Sequence, residues 1–176
     1  MKLVSLCTVA VIALSVGCKK DESKSTSTTS ASVSAAPASG CGADYTDPKK
    51  EFCMKLPADF KPTEDKSPGE LYTEIIRFDS DMDHFTVSIG FQSSNFTTFD
   101  EAVAADEKWM KESKNIKIES SGATAAGGKF WLYDNQGYSS VQSSTKSNGN
   151  KVIKCDSNDR KPAIIDACKS IRAYPT

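Results

Sequence analysis

The chain has a single histidine, no run of the ~20 apolar residues that span a bilayer, and a formal charge of only −1. Each shortage removes a class of function. Any Ser-His or Cys-His mechanism, and any His-dependent metal site, would have to use His84. Ser88 stands four residues beyond it on the same extended run, too far along a strand for a direct hydrogen bond. Gly-x-Ser-x-Gly is missing, and the glycine-rich stretch 122–128 lacks the Gly-Lys-Ser/Thr ending of a phosphate loop. The six cysteines include no Cys-x-x-Cys pair, which argues against a zinc site. With 22 Lys plus Arg against 23 Asp plus Glu, there is no basic excess to meet a phosphate backbone. The sequence therefore predicts no catalytic residues, no enzyme, no cofactor and no nucleic-acid partner.

What is present begins with an export signal over residues 1–17. Met1 and Lys2 give a minimal positive start, and residues 3–16 are apolar apart from small or weakly polar positions. The stretch is too short to be an anchor. It ends in Leu14-Ser15-Val16-Gly17-Cys18, which resembles the lipobox of bacterial lipoproteins, where a small residue precedes the cysteine to be acylated. Gly17 meets that demand, whereas Ser15 departs from the usual leucine three places before the cysteine and Leu14 stands one place earlier. Cys7 fits worse, because Leu6 would fill the small-residue position. The resemblance implies cleavage after Gly17 and lipid attachment, palmitate among the acyl chains, at Cys18. The alternative is an ordinary signal peptide that leaves Cys18 a free thiol. Since each buried methylene contributes ~0.8 kcal/mol, two or three chains on Cys18 would hold the protein on a membrane. Lys19, where Asp would resemble an inner-membrane retention signal, points to the outer membrane, with the protein facing the periplasm or the cell surface.

Residues 18–40 comprise the lipidated cysteine and a Ser/Thr-rich segment, as in Ser25-Thr26-Ser27-Thr28-Thr29-Ser30, without an aromatic residue and with Val33 as the one branched apolar side chain. Such a composition buries too little surface to offset chain entropy, so it reads as a disordered tether with a reach of ~25 Å. Residues 41–176 then form one globular domain, with 18 Lys plus Arg against 21 Asp plus Glu. Its cysteines are an even set in an oxidising compartment, and three pairings exist in principle. One close couple near each end favours Cys41 with Cys53 and Cys155 with Cys168, each closing a short loop for ~3 kcal/mol.

Periodicity predicts strands at 51–56, 71–78 and 84–92. The last of these sets Phe85, Val87, Ile89 and Phe91 on one side and Thr86, Ser88 and Gly90 on the other. Thr98-Phe99-Asp100-Glu101 fits a capping box, and Phe99, Val103, Trp109 and Met110 recur at near-helical spacing behind it. A short strand at Ile116 and Ile118 follows. Three antiparallel strands at 129–133, 138–145 and 152–156 come next, separated by Asn-Gln-Gly and Asn-Gly turns. Pro162 opens a closing helix in which Ile164, Ile165, Cys168 and Ile171 share a face. The order predicts an α+β domain, an antiparallel sheet of about six or seven strands with two main helices packed on it. The run Phe52-Cys53-Met54-Lys55-Leu56-Pro57, the capped helix from Thr98, Phe130-Trp131-Leu132-Tyr133 and the late Ile164-Ile165-Asp166-Ala167-Cys168-Lys169-Ser170-Ile171-Arg172 resemble the PsbP-like (Mog/PsbP) fold over most of residues 51–172. That resemblance implies a non-enzymatic binding or structural module, whose partner here would be a cell-envelope protein or a small ligand.

One stretch invites a chemical reading: Asp79-Ser80-Asp81-Met82-Asp83-His84, with carboxylates at alternate positions as at the start of a calcium loop. An EF-hand needs glycine at the sixth position and an acid at the twelfth, where this chain has His84 and Gly90. A solvated hairpin is therefore expected, and a cation-binding or enzymatic site on Asp79, Asp81, Asp83 and His84 is the alternative. Among the aromatics Trp109, Trp131, Tyr133 and Tyr138, a core role is the ordinary expectation. Phe130 and Leu132 are expected in the core, leaving Trp131 and Tyr133 as the pair to face a ligand. The sequence as a whole predicts an envelope-anchored lipoprotein with a non-catalytic binding or structural domain.

Overall fold

The computed structural model describes residues 40–64 and 71–176, so the expected leader, Cys18 and the tether up to residue 39 lie outside the described residues. The chain divides between Ala35 and Ala36, and every described residue belongs to the second unit. Its elements are β1 (Tyr45–Thr46), β2 (Phe52–Met54), β3 (Lys61–Glu64), β4 (Tyr72–Asp79), β5 (His84–Gly90), α1 (Phe99–Glu112), β6 (Ile116–Ala123), β7 (Lys129–Asn135), β8 (Tyr138–Lys146), β9 (Val152–Ser157), α2 (Pro162–Ser170) and β10 (Arg172–Ala173). The fold is α+β. Seven strands form one antiparallel sheet in the order β3-β4-β5-β9-β8-β7-β6, and β1-β2-β10 form a small second sheet.

The hairpins follow from local chemistry, and the long-range step is the pairing of β5 with β9, which joins the β4–β5 hairpin to the meander β6 to β9. Several strands differ from expectation: β1 and β10 carry no periodic signal, and the short strand expected at Ile116 and Ile118 extends to Ala123 as β6. The run expected over 51–56 is strand only at Phe52–Met54 and joins the small sheet rather than the large one. Strand β3 escapes periodicity because it carries Pro62, which lacks a donor and is tolerated here because β3 is an edge strand.

On β5, Phe85, Val87 and Ile89 point to one side of the sheet. With Ile76 and Phe78 of β4, Val141 of β8, and Ile153 and Cys155 of β9 they make the main core, capped by Ile164, Ala167 and Cys168 of α2 and by Phe52 and Met54. Phe78 and Phe85 stack with centroids 4.8 Å apart. Cys155 is bonded to Cys168, tying β9 to α2, and Cys41 is bonded to Cys53, tying the start of the domain to β2.

Helix α1 packs on the opposite side, where Phe99, Ala102, Val103 and Met110 meet Trp131, Tyr133 and Val152. This reverses one expectation. Trp131 and Tyr133 are buried, at 3% and 7% exposure, whereas Phe130 and Leu132 are only half-buried on the other side. The physical reason is that α1 lies over β7. Leu132 reaches the margin of the main core, and Phe130 is covered by the Lys169 ammonium, 4.2 Å from the ring centroid.

The capping box holds the start of α1. Glu101 donates its N–H to Thr98 Oγ1 at 3.3 Å, and Glu101 Oε2 accepts from the N–H groups of Thr98 at 3.1 Å and Thr97 at 2.9 Å. Those hydrogen bonds hold the Glu101 carboxyl below its ordinary pKa. Replacing Thr98 with Ala removes the acceptor, and urea unfolding should show a loss of about 1 kcal/mol with an unchanged m-value.

Candidate functional site

The same alternation that builds the core sends a different set of side chains toward α1. Ser88 of β5, Lys154 and Asp156 of β9, and Gln142 of β8 are neighbours across that side of the sheet, because Ser88 pairs with Lys154 and Asp156 with Gln142. The helix covers the apolar end of this side and stands away from its polar middle. Between them lies a cleft of about 480 Å³, floored by those four residues. Tyr72, Phe96 and Tyr133 form its walls, and Asp106 and Trp109 of α1 form its roof.

Tyr72 is placed by a backbone device. Gly90 has φ of 146°, and a Cβ there would run into the carbonyl oxygen of Leu71. The absent side chain lets the bulge between Tyr72 and Glu74 lie against the end of β5, where Phe91 donates its N–H to Leu71 O at 3.1 Å.

The polar groups fall into a satisfied set and a remainder. Asp106 Oδ2 accepts from Gln142 Nε2 at 2.8 Å and lies 3.6 Å from Lys154 Nζ. Gln92, with its amide nitrogen turned to the helix, donates to Asp106 Oδ1 at 3.1 Å and accepts from Lys154. Burial pushes the Asp106 carboxyl above the ordinary carboxylate range, while the Lys154 charge and the hydrogen bonds from Lys154 and Gln142 only partly oppose it. Asp156 is the remainder. It is half-buried, and its carboxylate has no hydrogen-bond or ion-pair partner among the described residues. Burial raises its pKa, the Lys154 charge opposes the rise, the Asp106 charge adds to it, and the His84 charge opposes it again. Tyr72 and Tyr133, which line the same cleft, are both raised, first by burial and next by the charge of Asp156.

The acidic turn is a closed hairpin. Asp83 donates its N–H to Ser80 Oγ at 3.2 Å, and Ser80 donates its N–H to Asp83 O at 2.9 Å. The Asp83 carboxylate takes Lys161 Nζ at 2.5 and 2.6 Å, and Asp79 Oδ1 takes Arg77 Nε at 2.6 Å. Asp81 and His84 are exposed. The structure thus pairs Asp79 and Asp83 with different cations and does not gather the turn into a ligand set. Among the described residues no group of three or more His, Cys, Asp or Glu is arranged to hold a metal ion.

No sequence motif marks the cleft, whose polar floor comes from Ser88, Gln142, Lys154 and Asp156 on three different strands. The available signal was Lys154 and Asp156 alternating with Ile153 and Cys155, a pair of opposite charges inside a strand. Trp109 also departs from a core role, being 49% exposed at the cleft mouth, and Tyr138 is exposed at 64%.

No family model matches the chain. No curated protein matches it either. Among solved structures the chain is similar to the solution structure of cyanobacterial PsbP (CyanoP) from Synechocystis, with 18% identity and a TM-score of 0.49 over 80% of this chain and 96% of that one.

Asp156 generates a pH dependence. Its carboxyl is harder to ionise in the folded state, so from the unfolded value of about 3.9 up to its raised folded value the native state holds the extra proton. Stability therefore falls as pH rises through that window, and the penalty is complete above it. The variant Asp156→Asn should melt at a higher temperature than the parent at neutral pH, and the gap should close as the pH is lowered to about 3.5. Thermal unfolding followed by circular dichroism at both pH values reads the effect.

Proposed function

We propose that this chain is an envelope lipoprotein, held on the outer membrane by acyl chains on Cys18, with residues 19–40 as a tether and a non-catalytic domain that binds a small ligand. The observation that carries the reading is the cleft under α1. Its volume of about 480 Å³ lies within the range of small-molecule sites, and it combines aromatic walls with a few convergent polar groups. No histidine or cysteine lines it, and Asp106 is taken up by Gln142, Lys154 and Gln92, which supports retention of a ligand rather than its conversion. Two carboxylates against one ammonium on its surface also fit poorly with a phosphate-rich partner. The anchor is supported by the leader and by Gly17 before Cys18.

Both halves are open to test on the full-length protein extracted from membranes in detergent. Mass spectrometry of the N-terminal peptide should find the leader removed and Cys18 carrying a diacylglyceryl group. An unmodified thiol at Cys18 would refute the anchor. A fragment library titrated against tryptophan fluorescence should contain compounds whose saturable signal disappears in Trp109→Phe. If no compound gives such a signal, the cleft is not a ligand site.

A further inference from the structure

We infer that the cleft selects a small organic cation, an ammonium or guanidinium group carried on an apolar body, with the charged group on Asp156. This rests on the cleft being a binding site, and it adds the chemical class of the ligand.

The sign of the ligand follows from which charges are already spent. Lys154 stands 3.6 Å from Asp106 and gives a hydrogen bond to Gln92, so the one ammonium in the cleft is engaged by its neighbours. Asp106 already accepts from Gln142 and Gln92 and stands beside the Lys154 ammonium. The carboxylate of Asp156, without a partner among the described residues, is left facing the cavity. A half-buried carboxylate without a protein partner is only partly hydrated, and a cation entering from solution supplies the missing partner. An anion in the same place would meet that carboxylate with no uncommitted ammonium to receive it.

The walls narrow the class further. Tyr72 and Tyr133 line the cleft together with Asp156, and Trp109 lies at the mouth with nearly half of its surface in water. Aromatic faces around a carboxylate are suited to a cation, because the ring quadrupole attracts positive charge within about 6 Å of the centroid. Phe96 and the indole of Trp109 offer apolar surface to the rest of such a molecule. A divalent metal is a worse match, since it needs several oxygen ligands and would stand beside the Lys154 ammonium.

The test uses calorimetric titration of the full-length protein in detergent with three probes of one shape: phenethylamine, 3-phenylpropionate and 2-phenylethanol. Phenethylamine should bind about tenfold or more tightly than the other two. Asp156→Asn should abolish that preference while melting at a higher temperature than the parent, which separates lost recognition from lost folding. Trp109→Ala, at an exposed position, should weaken the amine several-fold without changing the melting temperature. Equal or tighter binding of 3-phenylpropionate overturns the cation inference and leaves the binding reading standing. Undiminished binding of the amine to Asp156→Asn overturns it as well. Saturable binding by none of the three also overturns it, and the fragment titration then decides separately whether the cleft binds anything.

Discussion

Strand β9 sends Ile153 and Cys155 to one side of the sheet and Lys154 and Asp156 to the other, and the layout of the domain depends on that division. The apolar side attracts α2 by burial, at roughly 25 cal/mol for each Å² removed from water, and the Cys155–Cys168 bond fixes the same contact covalently. The polar side cannot be closed in the same way. Pressing an apolar helix onto Lys154 and Asp156 would strip two ions of water at several kcal/mol each. Helix α1 instead buries Phe99, Val103 and Met110 where the floor is Trp131, Tyr133 and Val152, and it meets the polar middle with Asp106. The cleft is the space left by that compromise.

Much of this was legible from residue types. The alternation of Phe85, Val87 and Ile89 in β5, the Thr98–Glu101 box and Pro162 at the start of α2 are local signals that the structure realises, whereas Phe91, expected beside Ile89, follows Gly90 and packs with the α1 cluster instead. The run Phe130-Trp131-Leu132-Tyr133 shows where such reading ends. Period two says that Trp131 and Tyr133 share a side; it does not say which side will be covered, because that depends on α1, whose position is set by contacts distant in sequence. The cleft was illegible for a related reason. Its residues come from β4, β5, the segment after it, α1, β7, β8 and β9, and each polar position taken alone looks like an ordinary solvated one.

Other carboxylates of the domain show why Asp156 stands apart. Asp47 is fully buried, yet its Oδ2 accepts from the N–H groups of Lys49 at 3.1 Å and Glu51 at 3.0 Å, shaping the turn before β2. Asp44 receives Arg172 Nη1 at 2.7 Å, and Asp83 closes on Lys161. These groups are explained by the structure they hold. Asp156 holds nothing among the described residues, and burial makes its charged form unfavourable. A residue that lowers stability without a structural return is what a binding site retains, since function and maximal stability commonly trade against one another.

Trp109 leads to the same place from the helix. Its neighbour Met110 is 1% exposed in the contact with β7, whereas Trp109, one position around the helix, is turned to the mouth of the cleft. An indole is among the side chains with most to gain from burial, and neither the core beside it nor the sheet below takes it in. An occupant of the cleft would cover the exposed indole and meet the unpaired carboxylate at once. The exposed indole and the unpaired carboxylate thus lie in one cavity, and a single molecule with an apolar body and a positive end would satisfy both.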